Sequence, residues 1–281
     1  EGNIYSNNTL QSYKDTAKNL SNWLKEKHPE IKNVVDIRQE HIQEWINDRG
    51  KNWSLKTLEN HMAKIKYLEQ QSQKVFGRDN VNFYNKDYEK PKTKESTRNM
   101  AFSRDDYNRL KESMENSRSF AKEAIEITSR CGLRIDEVAH LKREDINISE
   151  KTIYVDREGA KNGKARTVPI RNKDINYFKE LLEKYPERGY FTKSNAKSIS
   201  KSIRRYMDKT QDKEGMLLSR KYIGTTDHAI RKLYATERMK ELRGNEPLKN
   251  NKEEMKNWNV VSKELGHGEG RKNLYNTYCK G

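Results

Sequence analysis

Apolar residues recur every three or four positions along most of this chain, and that spacing predicts α-helices. In the run from 8 to 27, Leu10, Ala17 and Leu24 lie on one helical face, and Pro29 ends the run. Similar runs follow along the sequence. Helices are predicted at 8–27, 35–49 and 54–76, after Ser103, on both sides of Gly132, and at 173–184, 196–209, 228–242 and 258–265.

The second half of the chain is organised around a junction between two apolar helices. The first helix reaches Gly132, which turns the chain easily because it has no Cβ, and the second begins at Ile135. Arg134 is therefore expected on a helix–turn–helix junction, where its guanidinium can bind an anion through hydrogen-bond donors that are fixed in one plane. Taken alone, the stretch fits equally well a partly buried arginine that is paired with Asp136 or Glu137.

Two short segments alternate apolar and polar residues as strands do, at 152–156 and 166–170. Between them, Asn162-Gly163 is a strong signal for a hairpin turn. Lys161 is therefore predicted at a hairpin tip, held out from the body of the protein. The fold class that follows is mainly α, with a small antiparallel β-sheet or hairpin.

A length of 281 residues indicates two domains. Residues 1–85 are predicted to form a helical bundle and residues 102–281 a second domain. The segment 86–101 lacks apolar periodicity, contains Pro91 and is basic, so it is predicted to be an interdomain linker. Within the second domain, the polar run 243–257 predicts an inserted loop.

The chain has 58 basic and 42 acidic residues, a formal net charge of +16. Residues 1–95 hold 17 basic and 14 acidic side chains, and residues 96–281 hold 41 and 28, so the second part carries most of the excess. Such an excess predicts a polyanionic partner, nucleic acid first and a membrane surface second. No apolar run is long enough to span a membrane. Cys131 and Cys279 fit neither a disulfide framework nor a zinc site, which predicts a reducing cytoplasm and no metal.

Candidate chemistry comes from a series of short motifs. Arg134 stands in CGLRIDEVAHL, Lys161 lies in a hairpin that ends RTVPI, and His228 shares a helical face with Arg231. Leu265-Gly266-His267 follows, with a tyrosine about ten residues later. Each motif is weak alone, but in this order they resemble the tyrosine recombinase (phage integrase) family. The resemblance covers the family's whole catalytic domain, and the preceding bundle looks like its core-binding domain.

The resemblance implies cleavage of a DNA strand through a covalent 3′-phosphotyrosyl intermediate, without ATP, a metal or another cofactor. Arg134 and Arg231 would clamp the scissile phosphate, because each guanidinium offers paired donors. His267 would add a further donor. Lys161 would protonate the leaving 5′-oxygen, and His228 would accept the proton of the nucleophile.

The nucleophile is open between two tyrosines. Family members often place it nine residues after the last histidine, but Asn276 stands there in this sequence. Tyr275 and Tyr278 flank that position, and the ending matches the family's when a two-residue insertion is allowed, which favours Tyr278. Tyr275 is then expected to be a packing residue. Glu137 matches the family's acidic position and is expected to hold the site in place rather than to react.

The implied function is site-specific strand exchange that integrates or excises a mobile genetic element. A homo-tetramer would act on paired double-stranded DNA sites in the cytoplasm, near the nucleoid, with possible accessory DNA-bending or excision factors. Two alternatives are a type IB topoisomerase-like nicking and closing activity, and a DNA-binding protein of the same fold without catalysis. The complete set of motif residues favours the recombinase.

The two domains are expected to form a C-shaped clamp around duplex DNA, with the basic linker crossing it. Many relatives continue into a C-terminal helix that packs in a neighbouring protomer, whereas this sequence stops three residues after Tyr278. A longer natural chain, or subunit contacts through 243–257, would fill that role. The basic side chains predicted to contact DNA are Lys51, Lys56, Lys64, Lys66, Lys90, Lys92, Lys94, Arg98, Lys164 and Arg166, although charges on a helix more often form a solvated face.

Overall fold

The structure, a computed structural model, describes residues 7–93, 100–160, 163–225, 227–244 and 251–279. Its contacts divide the chain into two compact units, Glu1–Ser96 and Thr97–Gly281. Each unit has a hydrophobic core of its own. The predicted fold class, mainly helical with a small antiparallel sheet, is confirmed.

The described part of the first unit is a bundle of α1 (Asn7–Lys27), α2 (Gln39–Arg49) and α3 (Leu55–Phe76). Its core contains the apolar stripes of the helices, and Trp23 and Trp45 are both buried there. α3 begins as predicted, because the Ser54 hydroxyl accepts a hydrogen bond from the backbone N–H of Thr57 at 3.2 Å.

A buried carboxylate attaches the chain that follows α3 to the bundle. Glu69, on α3, accepts hydrogen bonds from the backbone N–H groups of Phe83 and Tyr84, each at 2.5 Å. Phe83 is itself fully buried in the core. Because both donors bind the same carboxylate oxygen, this one side chain fixes the direction in which the chain leaves the helix.

The next residues also pack on the first unit. The side-chain amide of Gln43 donates to the carbonyl oxygen of Glu89 at 3.0 Å and accepts from its N–H at 2.9 Å. Glu89 is therefore attached to the bundle, within the stretch that the sequence assigned to the linker. Residues 94–99, which complete most of that predicted linker, lie outside the described residues.

The second unit combines helices with a three-stranded sheet. α4 begins as predicted, because the Ser103 hydroxyl accepts from the backbone N–H of Asp106 at 3.0 Å. The helices are α4 (Arg104–Ser113), α5 (Ala121–Cys131), α6 (Ile135–Ala139), α7 (Ile175–Lys184), α8 (Ala196–Met207), α9 (Leu218–Lys221), α10 (Asp227–Arg243), α11 (Asn251–Glu264) and α12 (Lys272–Cys279). The strands are β1 (Ile146–Asn147), β2 (Thr152–Val155) and β3 (Arg166–Pro169).

The core of the second unit lies where α5 packs on α10 and where one face of the sheet meets the helices. The sheet is antiparallel in the order β1-β2-β3, with Ile153 opposite Val168. Both residues are fully buried, so their face of the sheet contacts the core. The predicted hairpin is β2–β3. β1 was missed because a strand of two residues is too short to show alternation.

The predicted loop at 243–257 is wrong for its second part, because residues 251–257 belong to α11. Residues 245–250 lie outside the described residues. The run has a polar pattern because one of its buried side chains, that of Glu254, is a carboxylate. Glu254 is 4% exposed and accepts from Nε of Arg243, at the end of α10, at 2.9 Å. An ion pair thus replaces the apolar contact that periodicity would have revealed.

Replacing Glu69 by leucine should destabilise the first unit by about 2 kcal/mol or more, because two backbone N–H groups lose their acceptor. Glu69→Gln retains an acceptor oxygen and should cost less. Urea unfolding, followed by tryptophan fluorescence, measures the effect, since three of the four tryptophans lie in this unit. Gln70→Leu, on the exposed side of the same helix, is the control. Equal losses in Glu69→Leu and Gln70→Leu would contradict the assignment.

Candidate active site

The junction between α5 and α6 has the predicted geometry. Gly132 ends α5 with φ of +63°, a left-handed conformation that glycine adopts without strain. Arg134 precedes the first residue of α6, and its backbone N–H and its Nη1 both donate to Glu137, each at 2.8 Å. Arg134 is therefore paired with Glu137, while about a fifth of its side chain stays exposed, and its contact with an anion stays a prediction.

Glu137 lies at the centre of a cluster of three arginines. Besides Arg134, Arg166 donates to both carboxylate oxygens at 2.8 Å, and Nη1 of Arg231 lies 3.9 Å away. Burial alone would raise the pKa of Glu137. The hydrogen bonds from Arg166 and the charges of Arg166 and Arg231 outweigh it and lower the pKa to about 2. The carboxylate is therefore ionised at neutral pH.

Arg231, on α10, is 1% exposed and is held by the backbone of two other segments. Its Nη1 donates to the carbonyl oxygen of Gly132, and its Nη2 donates to that of Leu265. Its Nε lies 3.4 Å from the hydroxyl oxygen of Tyr278. Burial lowers the pKa of Arg231 to about 10, which still leaves the guanidinium charged at neutral pH.

The Tyr278 hydroxyl lies between Arg231 and His267. It is 3.1 Å from Nε2 of His267, and Nη2 of Arg231 lies 3.4 Å from the same nitrogen. Burial, followed by the charges of Arg231 and Arg134, lowers the pKa of His267 to about 3. The imidazole is therefore neutral. Because a guanidinium can only donate, Nε2 is the unprotonated nitrogen and accepts from the tyrosine hydroxyl.

Tyr275 has a different environment on the same helix. Its hydroxyl donates to Oε1 of Glu254 at 2.6 Å, and its ring packs against Trp258 with centroids 5.8 Å apart. Burial and the hydrogen bond to Glu254 raise the pKa of Tyr275 to about 12. The two candidate tyrosines are thus distinguished by their partners, an arginine and a histidine for Tyr278 and a carboxylate for Tyr275.

His228 is the second residue of α10, the helix that carries Arg231. Its side chain is exposed, and its ring centroid lies 5.3 Å from that of Tyr278 in an edge-on arrangement. His228, Arg231, His267 and Tyr278 therefore form one cluster, which adjoins Arg134 through the carboxylate of Glu137.

Lys161 lies outside the described residues, but the residues just before it are described. Gly159 packs against α6, since an added Cβ would lie 2.9 Å from Cβ of His140 and 3.2 Å from Cα of Glu137. The next N–H, of Ala160, donates to the carbonyl oxygen of Asp156 at 3.1 Å. Residues 159 and 160 therefore lie against the body of the protein, whereas the position of Lys161 at a hairpin tip stays a prediction.

Arg166, which was predicted to contact DNA, pairs with a buried carboxylate in the structure. Its terminal nitrogens bind Glu137, and its Nε donates to the carbonyl oxygen of Glu264 at 3.0 Å. The sequence contains a signal that would have placed it inside. Residues alternate across a strand, so Arg166 shares a face with Val168 and Ile170, which are buried.

The other predicted DNA contacts lie in varied surroundings. Lys56 pairs with Glu59 at 3.3 Å, and Nζ of Lys66 lies 5.7 Å from the ring centroid of Tyr84. Lys64 is half-buried. Lys94 and Arg98 lie outside the described residues, and the exposed members are Lys51, Lys56, Lys66, Lys90, Lys92 and Lys164.

One group of side chains in the described residues has metal-like spacing, His28 with Glu30 and His41 in the first unit. Its hydrogen bonds do not suit a metal. Nδ1 of His41 accepts from the backbone N–H of Arg38 at 3.0 Å, which leaves the proton on Nε2. The two ring nitrogens of His28 lie within 3.2 Å of carboxylate oxygens of Glu30 and Glu44. The absence of a metal cofactor stays a prediction.

Comparison with known proteins identifies the family. The model of the phage integrase family matches residues 100–242, and that of the N-terminal SAM-like domain of phage integrases matches residues 3–74. The first match spans half of the chain. The chain therefore belongs to the phage integrase family, the tyrosine recombinases. No curated protein sequence matches it. Within the described residues, no helix is both long and apolar enough to cross a membrane.

Solved structures share the fold at low sequence identity. A lambda integrase dimer bound to a COC′ core site is 16% identical with a TM-score of 0.63, covering 98% of this chain and 72% of that one. The Tn1549 transposon integrase in complex with transposon right end DNA is 16% identical with a TM-score of 0.62, covering 99% and 91%. A lambda integrase tetramer bound to a Holliday junction is 16% identical with a TM-score of 0.63, covering 96% and 72%.

The depressed pKa of His267 predicts a pH dependence of stability. An unfolded histidine takes up a proton near pH 6.5, whereas folded His267 resists protonation down to about pH 3. Stability from the neutral imidazole is therefore complete above about pH 6.5 and declines as the pH falls. The difference in unfolding free energy between wild type and His267→Gln should shrink from about pH 7 to about pH 4.5. His140→Gln, in the same unit, is the control. A difference that stays constant with pH would refute this prediction.

Proposed function

We propose that the chain is a site-specific tyrosine recombinase that cleaves and rejoins DNA strands and thereby integrates or excises a mobile genetic element. The observation that carries the proposal is the position of the Tyr278 hydroxyl, 3.1 Å from Nε2 of His267 and 3.4 Å from Nε of Arg231. Family membership supplies the reaction class, and these distances support this chain's competence for it.

The proposed reaction is a phosphoryl transfer to Tyr278. Its oxygen forms a bond to phosphorus as the bond from phosphorus to the 5′-oxygen breaks, which leaves a 3′-phosphotyrosyl link. The tyrosine proton passes to His228, and Lys161 gives a proton to the departing 5′-oxygen. Attack by the freed 5′-hydroxyl of another strand reverses these transfers, so rejoining needs neither ATP nor a metal.

Arg134 and Arg231 are proposed to neutralise the nonbridging oxygens in the transition state. Two features support this role. Arg231 is immobilised by two backbone carbonyls, so its charge is oriented before DNA binds. Arg134 uses Nη1 for Glu137 and keeps about a fifth of its side chain exposed, which suits a contact with an incoming ligand.

His267 is proposed to become a donor when the phosphate binds. In the absence of DNA, burial and the neighbouring arginine charges lower its pKa to about 3. A phosphate anion beside Arg231 would oppose those charges and favour the protonated imidazole. His267 could then donate to a nonbridging oxygen, while His228 serves as the base.

The proposed partner is double-stranded DNA, bound by a homo-tetramer on paired sites, with possible accessory DNA-bending or excision factors. The +16 net charge supports a DNA partner. Lambda integrase, which shares this fold, forms a tetramer on a Holliday junction and a dimer on a core site. The two predicted domains, 1–85 and 102–281, and the linker between them are each proposed to contact the duplex.

Two alternatives make different predictions. A type IB topoisomerase-like enzyme would use the same active-site chemistry but would reseal the strand it had cut, without exchange. A non-catalytic DNA-binding protein would form no covalent link. The contacts of Tyr278 with Arg231 and His267 favour a catalytic protein over the second alternative.

Tyr278→Phe should abolish covalent trapping on a nicked suicide duplex that carries the ends of the mobile element. The phenylalanine lacks the attacking oxygen but keeps the ring. Tyr275→Phe, on the same helix, is the matched control and should still form the adduct. Denaturing gels detect the adduct, and peptide mapping identifies the linked residue.

The outcomes of this experiment separate the proposals. If only Tyr275→Phe lost the adduct, the proposed mechanism would stand, with Tyr275 as the nucleophile. If wild type bound the duplex tightly but formed no adduct, the result would favour a non-catalytic DNA-binding protein. Adduct formation with resealing, but without strand exchange between paired duplexes, would favour the topoisomerase-like activity.

Replacing Lys51, Lys64 and Lys66 together by glutamine should make duplex binding less dependent on salt. If all three contact phosphates, the slope of log affinity against log salt should fall by about 3, close to one unit for each phosphate contact. Fluorescence anisotropy with a labelled duplex measures the slope. Lys179→Gln, an exposed lysine on α7, is the control. An unchanged slope in the triple variant would mean that these lysines form only a solvated face.

A further inference from the structure

Arg166, the first residue of β3, has only 12% of its side chain exposed. Its two terminal nitrogens donate to the two oxygens of Glu137, both at 2.8 Å, and its Nε donates to the carbonyl oxygen of Glu264 at 3.0 Å. All three nitrogens of the planar guanidinium therefore donate hydrogen bonds. A lysine, which presents a single ammonium, cannot make the same set of bonds.

The guanidinium also supports the turn that leads to His267. A Cβ added to Gly266 would lie 2.9 Å from Cζ of Arg166, so the Gly266 backbone rests directly on it. Gly266 has φ of +71°, which favours glycine. Arg166 thus joins three segments: β3, the helix α6 that carries Glu137, and the end of α11.

The charge of Glu137 gives Arg166 a second role. Glu137 has no exposed side-chain surface, so neighbouring arginines must compensate its charge. Without Arg166, the carboxylate would retain Arg134 at 2.8 Å and Arg231 at 3.9 Å. Those are the guanidiniums proposed to clamp the phosphate. They would then be drawn towards Glu137 and away from the substrate.

We propose that Arg166 is a positioning residue of the strand-cleavage site. It satisfies Glu137, so that Arg134 and Arg231 stay available to the scissile phosphate, and it supports the turn before His267. The inference rests on the proposed recombinase function and differs from the prediction that Arg166 contacts DNA. A phosphate contact would act on affinity, whereas a positioning role acts on the cleavage rate of bound DNA.

The test measures Arg166→Gln in two assays, single-turnover cleavage of the nicked suicide duplex at saturating protein and the salt dependence of its dissociation constant. Cleavage of bound DNA should slow about 100-fold, as misplacing reacting groups by about 1 Å does. The salt slope should not change. Lys164→Gln removes a predicted phosphate contact and should lower the slope by about 1. Thr167→Gln, on the exposed face of β3, is the control for both assays.

Arg166→Lys separates geometry from charge. It keeps the positive charge but cannot form both bonds to Glu137, so cleavage should stay at least about 10-fold below wild type. Arg166 would instead be a backbone contact if the lysine variant restored cleavage and Arg166→Gln lowered the salt slope as Lys164→Gln does. That result would overturn the inference.

The double variant Arg166→Gln/Glu137→Gln controls for misfolding, because it leaves no uncompensated carboxylate. If Arg166 acts through Glu137, the double variant should cleave within about threefold of Glu137→Gln alone, as coupled residues do. Losses that multiply would contradict the part of the inference in which Arg166 acts through Glu137. Failure of wild type to form an adduct would reject the proposed function itself. If Arg166→Gln cleaved bound DNA as fast as wild type does, only the positioning role would be overturned.

Discussion

The packing of the second unit depends on how the negative charge of one buried carboxylate is compensated. Glu137 has no exposed side-chain surface, and an unpaired charge at that depth would strongly destabilise the fold. The arginines that surround it come from a helix junction, a strand and a long helix, so they meet only when these elements have packed together. The electrostatic requirement of one side chain therefore couples α6, β3 and α10, and it keeps three guanidiniums close together despite their mutual repulsion.

The glycine at the end of α5 makes this arrangement possible. A Cβ on Gly132 would lie 2.5 Å from the ring of Tyr234, and the Gly132 carbonyl oxygen accepts from Arg231. The helix junction therefore orients Arg134 in one direction and anchors Arg231 in another. Tyr278 approaches this anchored guanidinium from a separate small core that contains Trp258. Under the proposed function, the site is organised before DNA binds, so binding requires little rearrangement of its charges.

The sequence by itself determined the elements and the order of the motifs. Helical periodicity gave the extents of the bundle helices to within a few residues, and Ser54 and Ser103 marked two helix starts because a hydroxyl cap is a local interaction. Gly132 marked the junction for the same reason, since its backbone preference belongs to the residue itself. The motif order indicated the family, which the match over residues 100–242 confirms. These signals act over a few neighbouring residues.

The tertiary structure alone decided the partner of each charged or polar side chain. Arg166 pairs with a carboxylate 29 residues away and a carbonyl 98 residues away, so its charge gave no hint of burial. The helical start of α11 was hidden because Glu254 pairs with Arg243 where an apolar residue was expected. The sequence favoured Tyr278 over Tyr275, but only the packing of α10, α11 and α12 decided their partners, Arg231 for Tyr278 and Glu254 for Tyr275. Periodicity shows which residues turn inward, but long-range packing decides which residues meet there.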